Sequence, residues 1–144
     1  MTYNEKYVSI LRQHDFKVTL PRVKLLEILD GSGEPLSAFD IHKTLSKHGT
    51  DLATIYRSLS KFVEAGLLNK IDFGDEFSRY ELATNEHYHH FICNECGKVI
   101  KIHQCNFDKL SKDIEKVAGH KVLSHEIIFR GICNECVSVA SVAH

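Results

Sequence analysis

The chain is predicted to be an α+β protein in two halves, and three observations carry that prediction. Up to Gly66, apolar residues recur at helical spacing between clear caps and stops. After Gly66 short strand-like runs take over, and two Cys-x-x-Cys pairs lie in the second half, separated by 36 residues. At 144 residues, 43% of them apolar, the chain is long enough for one ordinary domain or two small ones.

An N-terminal stretch to about His14 comes first. Thr19 then caps a helix with Pro21 in its first turn and an apolar face of Val23, Leu25, Leu26, Ile28 and Leu29. Gly31-Ser-Gly-Glu-Pro35 ends it. Ser37-Ala-Phe-Asp40 reads as a capping box with Asp in the Glu position; Ala38, Ile41 and Leu45 follow at helical spacing, and Gly49 closes the element. Asp51 caps a further helix, with Leu52, Ile55, Leu59 and Phe62 on one side and Gly66 at its end. Such a series predicts a helix-turn-helix. Leu67 to Phe73 and Phe77 to Leu82, joined through Gly74-Asp75, predict a wing-like hairpin.

Ala83-Thr-Asn-Glu86 is polar and without periodicity, so it reads as a hinge between a domain over 1–82 and another over 87–144. The second half is predicted to hold strands near 88–93 and 98–103. A helix over 106–118 comes next, with Phe107, Leu110, Ile114 and Val117 turned inward, and then a strand from Lys121 to about Arg130.

No apolar run approaches the roughly 20 residues that span a bilayer, and the N-terminus mixes charge into its apolar residues, so a cytoplasmic location without a membrane partner is expected. Lys and Arg total 18 against 19 Asp and Glu. With no basic field, a nucleic-acid role has to rest on local placement.

Cys93-Asn-Glu-Cys96 and Cys133-Asn-Glu-Cys136 supply four thiolates in the pattern of a closed tetrahedral zinc site. A closed site holds structure and admits no substrate. A redox role is disfavoured because neither motif is expected to open a helix in a strand–helix context. The fifth cysteine, Cys105, reads either as a buried thiol or as a ligand near the histidines.

His87-Tyr88-His89-His90 runs directly into Cys93. If it is extended, His87 and His89 share one face while Tyr88 and His90 share the other, so one strand feeds two sites. Asp108 and His125 are the expected partners on the first face, a donor set suited to zinc, ferrous iron or manganese. On the second face His90 is expected to work with Glu81, which would tie the wing to the second half. A lone histidine is more often a solvated strand residue; three in four positions ahead of a Cys-x-x-Cys favour metal.

On the helix after Asp51, Thr54, Tyr56, Arg57, Ser58 and Lys61 are left on the outer face or its flank. Arg pairs bidentately with guanine, and hydroxyls reach phosphates or thymine methyls, so this surface fits a major groove. An ordinary solvated helix shows the same polarity. Lys17, Arg22 and Lys24 would add backbone contacts.

Taken together, KVTLPR (17–22), LATIYRSL (52–59), EAGLL (64–68), RYEL (79–82), HYHHFICNECGKVI (87–100) and GHKVLSHEIIFRGICNEC (119–136) resemble the ferric-uptake-regulator (Fur) superfamily. The resemblance implies an N-terminal winged-helix DNA-binding domain and a C-terminal α/β dimerisation domain. It implies a homodimer that binds a palindromic double-stranded operator when metal is present and represses metal-uptake or oxidative-stress genes. Tyr56 and Arg57 match the base-contacting pair and Lys17 the minor-groove lysine; Cys93, Cys96, Cys133 and Cys136 match the structural zinc ligands. A regulatory site maps onto His87, His89, Asp108 and His125. A hinge sensing site maps onto Glu81 and His90 but departs from the pattern at Tyr88 and Lys101, where a histidine and a carboxylate are expected. Its N-terminal histidine falls on Glu34 or Pro35. Glu34, His103 or Cys105 would complete it, or a one-residue shift would recruit His87 or His89.

The function expected from this reading is a metal-dependent repressor of iron or zinc uptake genes, with a peroxide-stress regulator of the same superfamily as the alternative. Zinc is the expected structural ion; zinc or ferrous iron, with manganese as a further choice, is the regulatory one. No small-molecule substrate is expected. From other classes, a zinc hydrolase or deaminase lacks its motifs, among them His-Glu-x-x-His. A zinc-stapled interaction module without DNA binding is a further rival.

Overall fold

The computed structural model describes residues 3–84 and 87–142. It divides into two compact units, Met1–Thr84 and Asn85–His144. Of the expected hinge, Ala83 and Thr84 close the first unit; Asn85 and Glu86 lie outside the described residues.

The first unit is a winged helix. Its elements are α1 (Glu5–Gln13), α2 (Leu20–Ser32), β1 (Leu36–Ser37), α3 (Ala38–Leu45), a single 3-10 turn (Ser46–His48), α4 (Leu52–Glu64), β2 (Leu68–Asp72) and β3 (Ser78–Leu82). Local chemistry starts each helix. Asn4, Thr19 and Asp51 accept backbone N–H groups of the first turns of α1, α2 and α4. At α3, the Ser37 hydroxyl and the Asp40 carboxylate each accept the other residue's backbone N–H. Each such cap contributes about 1 kcal/mol. Gly33 ends α2 at φ 72°, in the left-handed region open to glycine.

The core of this unit is made by Leu11, Val23, Leu25, Leu26, Ile41, Leu45, Ile55, Leu59, Phe62 and Leu68, which the helices and the hairpin bury together. The sheet runs β1-β3-β2, all antiparallel. β1 was not foreseen, because two residues are too short to show alternation. It exists because Leu36 and Ser37 lie opposite Tyr80 and Arg79.

The second unit holds β4 (His89–Cys93), β5 (Val99–Ile102), α5 (Asp108–Ala118), β6 (Ile128–Gly131) and α6 (Asn134–Val142). β4 is central, antiparallel to β5 and parallel to β6. Gly131 suits this packing, since a Cβ there would meet the Phe91 ring at 3.2 Å.

Three expectations are corrected. The last strand is confined to 128–131, and 121–127 is irregular. A helix, α6, comes after it that sequence reading did not identify. The third concerns α5, which starts at Asp108 and turns its apolar stripe outward: Leu110 is 52%, Ile114 42% and Val117 84% exposed. Helical spacing marks an apolar face without saying what covers it. Among the described residues of this unit only His89, His90, Cys93, Val99 and Cys133 are buried, so apolar burial within one chain contributes little to its stability.

Candidate metal centres

The parallel pairing of β4 with β6 sets Cys93 beside Gly131, and the Asn94 N–H donates to the Gly131 carbonyl at 2.7 Å. The turns at the ends of the two strands therefore lie side by side. The sulfurs of Cys93, Cys96, Cys133 and Cys136 all fall within 4.8 Å of one another, and Cys96 Sγ to Cys133 Sγ is 3.8 Å. A tetrahedral zinc with Zn–S of about 2.3 Å has S···S edges of about 3.8 Å. The donor set fits the ion.

Cys93 Sγ accepts the backbone N–H of Cys96 at 3.5 Å and of Cys133 at 3.3 Å. These donors draw its thiol down to about 6. The Cys136 thiol is instead pushed up to about 12 by the adjacent sulfurs of Cys133 and Cys93. One thiolate is favoured by the backbone alone; a divalent cation is what allows four to coexist. The expectation that neither motif opens a helix is corrected, since Cys133 directly precedes α6 just after β6. Convergence of all four sulfurs nonetheless speaks for metal over dithiol chemistry.

The second cluster uses the same strand. The 38-residue offset that pairs His90 with Ile128 also sets His87 against His125, whose Nε2 atoms are 3.1 Å apart. His87 and His89, on one face as alternation predicts, pack edge to face at 4.7 Å. Past β5 the chain returns Cys105 among them: its sulfur lies 3.2 Å from His87 Nε2, 3.3 Å from His89 Nε2 and 3.3 Å from His125 Nε2. Burial, followed by the neighbouring charge of His87, holds the His89 pKa below its ordinary value and so favours the neutral, ligating imidazole. Phe107 packs its ring on His89 and His125 at 6.1 and 5.9 Å.

The four residues brought together are thus His87, His89, Cys105 and His125. Asp108, the carboxylate expected here, is exposed in the first turn of α5 and is not among them. The physical reason is the start of the helix: Phe107, not Asp108, packs on the rings, and Asp108 sits where a carboxylate complements the helix dipole. The odd cysteine was the signal for this site.

On the other face of β4, Tyr88 packs against His90 at 5.3 Å and His103 at 6.0 Å, with Lys101 Nζ 4.7 Å above its ring. Tyr88 therefore stands at the centre of a cation–π and aromatic cluster where the resemblance places a histidine. The other two residues of the expected hinge site, Glu34 and Glu81, belong to the first unit. Glu81 is buried on β3 opposite Asn69, and Glu34 precedes β1.

In the first unit, Tyr56, Arg57 and Lys61 are exposed on α4 and Thr54 is half-buried, with Arg57 Nη2 donating to Thr54 Oγ1 at 3.1 Å. Ser58 is buried, a correction to its expected outer position, because it falls on the same side as Ile55 and Leu59. Arg22 donates from Nη1 to the Lys17 carbonyl at 2.9 Å and lies over the Phe16 ring. Sequence reading missed an exposed aromatic group in which Phe39 of α3 meets Tyr56 at 6.5 Å and Phe77 of the hairpin loop at 5.5 Å.

Known proteins resemble this chain along most of its length. The family model described as the ferric uptake regulator family matches residues 13–130. The ferric uptake regulation protein of Neisseria meningitidis serogroup C is 34% identical over 137 residues, covering 92% of this chain and 95% of that protein. The solved structure of the Vibrio cholerae ferric uptake regulator aligns with a TM-score of 0.75 at 33% identity, over 87% of this chain and 98% of that one. That of the Francisella tularensis ferric uptake regulator with iron gives 0.75 at 31%, over 85% and 95%. With its winged helix, its cysteine quartet and this likeness over most of its length, the chain belongs to the ferric uptake regulator family.

Proposed function

We propose that the chain is a metal-dependent transcriptional repressor of metal-homeostasis genes that binds a palindromic double-stranded DNA operator as a homodimer in the cytoplasm. The observation that carries this is the presence, on one chain, of a winged helix with exposed Tyr56 and Arg57 and of two convergent metal-donor clusters. The Vibrio cholerae relative is described by its DNA-binding domains and the Francisella tularensis relative with iron. The relatives are named as regulators, which leaves the hydrolase or deaminase alternative without support.

In this reading residues 1–82 bind DNA, 83–86 act as the hinge and 87–144 carry metal and dimerise. Tyr56, Arg57 and Thr54 face bases or adjacent phosphates, and Lys17 and Arg22 contact the backbone. Cys93, Cys96, Cys133 and Cys136 hold a structural zinc. The His87–His89–His125 cluster takes the regulatory divalent ion, zinc or ferrous iron with manganese as a further candidate. The exposed stripe of Leu110, Ile114 and Val117 supplies an apolar face for a second copy.

The mechanism is a shift between conformations: an ion with higher affinity for the operator-binding form raises that form's population, and DNA raises metal affinity by the same factor. The test is operator binding by protein that keeps the thiolate zinc but has been stripped of other metal. Restoring metal is expected to tighten binding about 5- to 150-fold. Equal affinity in both states would overturn the proposal.

A further inference from the structure

We propose that the second centre is a thiolate–imidazole site of one Cys and three His, with Cys105 as its fourth ligand in place of Asp108, and that it selects zinc over ferrous iron and manganese. This rests on reading the histidine cluster as a metal centre and names its metal class. The four donor atoms, His87 Nε2, His89 Nε2, His125 Nε2 and Cys105 Sγ, all lie within 4.8 Å of one another. The separations between Cys105 Sγ and the three nitrogens, and between His87 and His125, run from 3.1 to 3.3 Å. Four-coordinate zinc with Zn–N of about 2.0–2.1 Å has N···N edges of about 3.3 Å. The cluster is already near the size of that tetrahedron.

Chemistry sharpens the choice. Three imidazoles and a thiolate form a borderline-soft set, whereas manganese and ferrous iron gain from oxygen donors and octahedral geometry. The carboxylate that would have supplied oxygen, Asp108, is exposed on α5 and outside the donor group. Phe107 covers His89 and His125, and His89 is 2% exposed. His87 is exposed and Cys105 and His125 are half-buried, so the choice of ion rests on the four donors, which complete a tetrahedral set without an oxygen ligand.

Cobalt(II) is the probe, because it takes zinc's place and reports thiolate ligation by a sulfur-to-metal charge-transfer band. Full-length protein retaining zinc in the cysteine quartet is titrated with cobalt(II) in the absence of DNA. One equivalent is expected to bind with that band and with the intense visible bands of a tetrahedral ion. Zinc displaces it, and a roughly hundredfold excess of manganese does not. Cys105→Ser loses the band and binds cobalt at least ~10-fold more weakly, while Asp108→Asn changes neither. Cobalt-edge X-ray absorption on the unaltered protein, which depends on no variant folding, is expected to give one sulfur and three imidazole nitrogens. A weak octahedral spectrum, a band that survives Cys105→Ser, loss on Asp108→Asn, or a sulfur-free cobalt shell would each overturn the assignment. Operator binding is measured separately, so an intact spectrum with metal-independent DNA binding would remove the regulatory reading and leave the site.

Discussion

The Cys133 backbone N–H donates to the Cys93 sulfur at 3.3 Å, joining two residues forty positions apart. Across this contact the chain beyond β6 is fastened to the end of β4, in a unit with few buried apolar residues. Metal binding then supplies much of that unit's folding free energy. Cys93→Ser is expected to lose one zinc per chain and the cooperative unfolding of residues 87–142, while the well-packed helices of residues 3–84 keep theirs. Metal analysis with hydrogen exchange followed by region checks it; native-like protection of β4 and β6 in the variant would refute it.

The outward stripe on α5 makes a second prediction. Ile114→Asp places a carboxylate in the middle of a face whose neighbours, Leu110 and Val117, are also exposed. Burying an unpaired charge at an interface costs at least ~2 kcal/mol, which corresponds to a dimer Kd raised roughly 30-fold or more. Sedimentation equilibrium should show the monomer at concentrations where the unaltered chain is dimeric. An unchanged dimer would place the interface elsewhere.

Arg57 is held toward Thr54 by a 3.1 Å hydrogen bond and is exposed on α4. Arg57→Ala is expected to weaken operator binding by about 1–3 kcal/mol and relax specificity at one base pair, as loss of a bidentate guanine contact does. Lys17→Ala should instead weaken binding to all sequences and flatten the salt dependence. Competition binding against single-base operator variants separates the two.

Phe39 touches both Tyr56 and Phe77 edge to face, although it is 45% exposed. Phe39→Ala should therefore cost operator affinity through a less fixed Tyr56, by roughly 0.5–1.5 kcal/mol, with little loss of stability. Calorimetric melting and DNA titration on the same preparation test this pairing of outcomes. A large drop in melting temperature would make Phe39 a core residue instead.

Tyr7 and Asp30 give a pH prediction. Lys6 and then Tyr7 hydrogen-bond to Asp30 and hold its carboxyl below the ordinary value, while the same bond to Asp30 pushes the Tyr7 phenol up to about 12. For Asp30 the depressed folded value means stability that is present above the unfolded value of 3.8 and lost as pH falls through the folded one. For Tyr7 the raised value means stability that is present below 10.0 and lost as pH rises toward about 12. Asp30→Asn should be less stable than the unaltered chain near neutrality, with the difference shrinking on acidification. Urea unfolding across pH measures it, and a pH-independent difference would contradict the linkage.

Local features were legible in the sequence because local physics decides them. Thr19, Ser37 and Asp51 announce helix starts, since a cap needs only its own first turn, and all three cap as expected. The four Cys residues were legible as a zinc set because a Cys-x-x-Cys turn brings its own two sulfurs together. The alternation that sends His87 and His89 to one face is likewise a property of any extended strand.

What the sequence alone determined, then, was the α+β class, the helices up to Gly66, the cysteine quartet and which histidines share a face. Only the tertiary structure decided which further donor joins those histidines. That choice depends on where β5 releases the chain and where α5 begins, and the outcome, Cys105 among the rings with Asp108 at a helix end, comes from contacts between segments distant in sequence. The same holds for β1, which exists only through its pairing with β3, and for the outward turn of α5. Periodicity identifies an apolar face, but the surface that covers it is set by the packing of other elements.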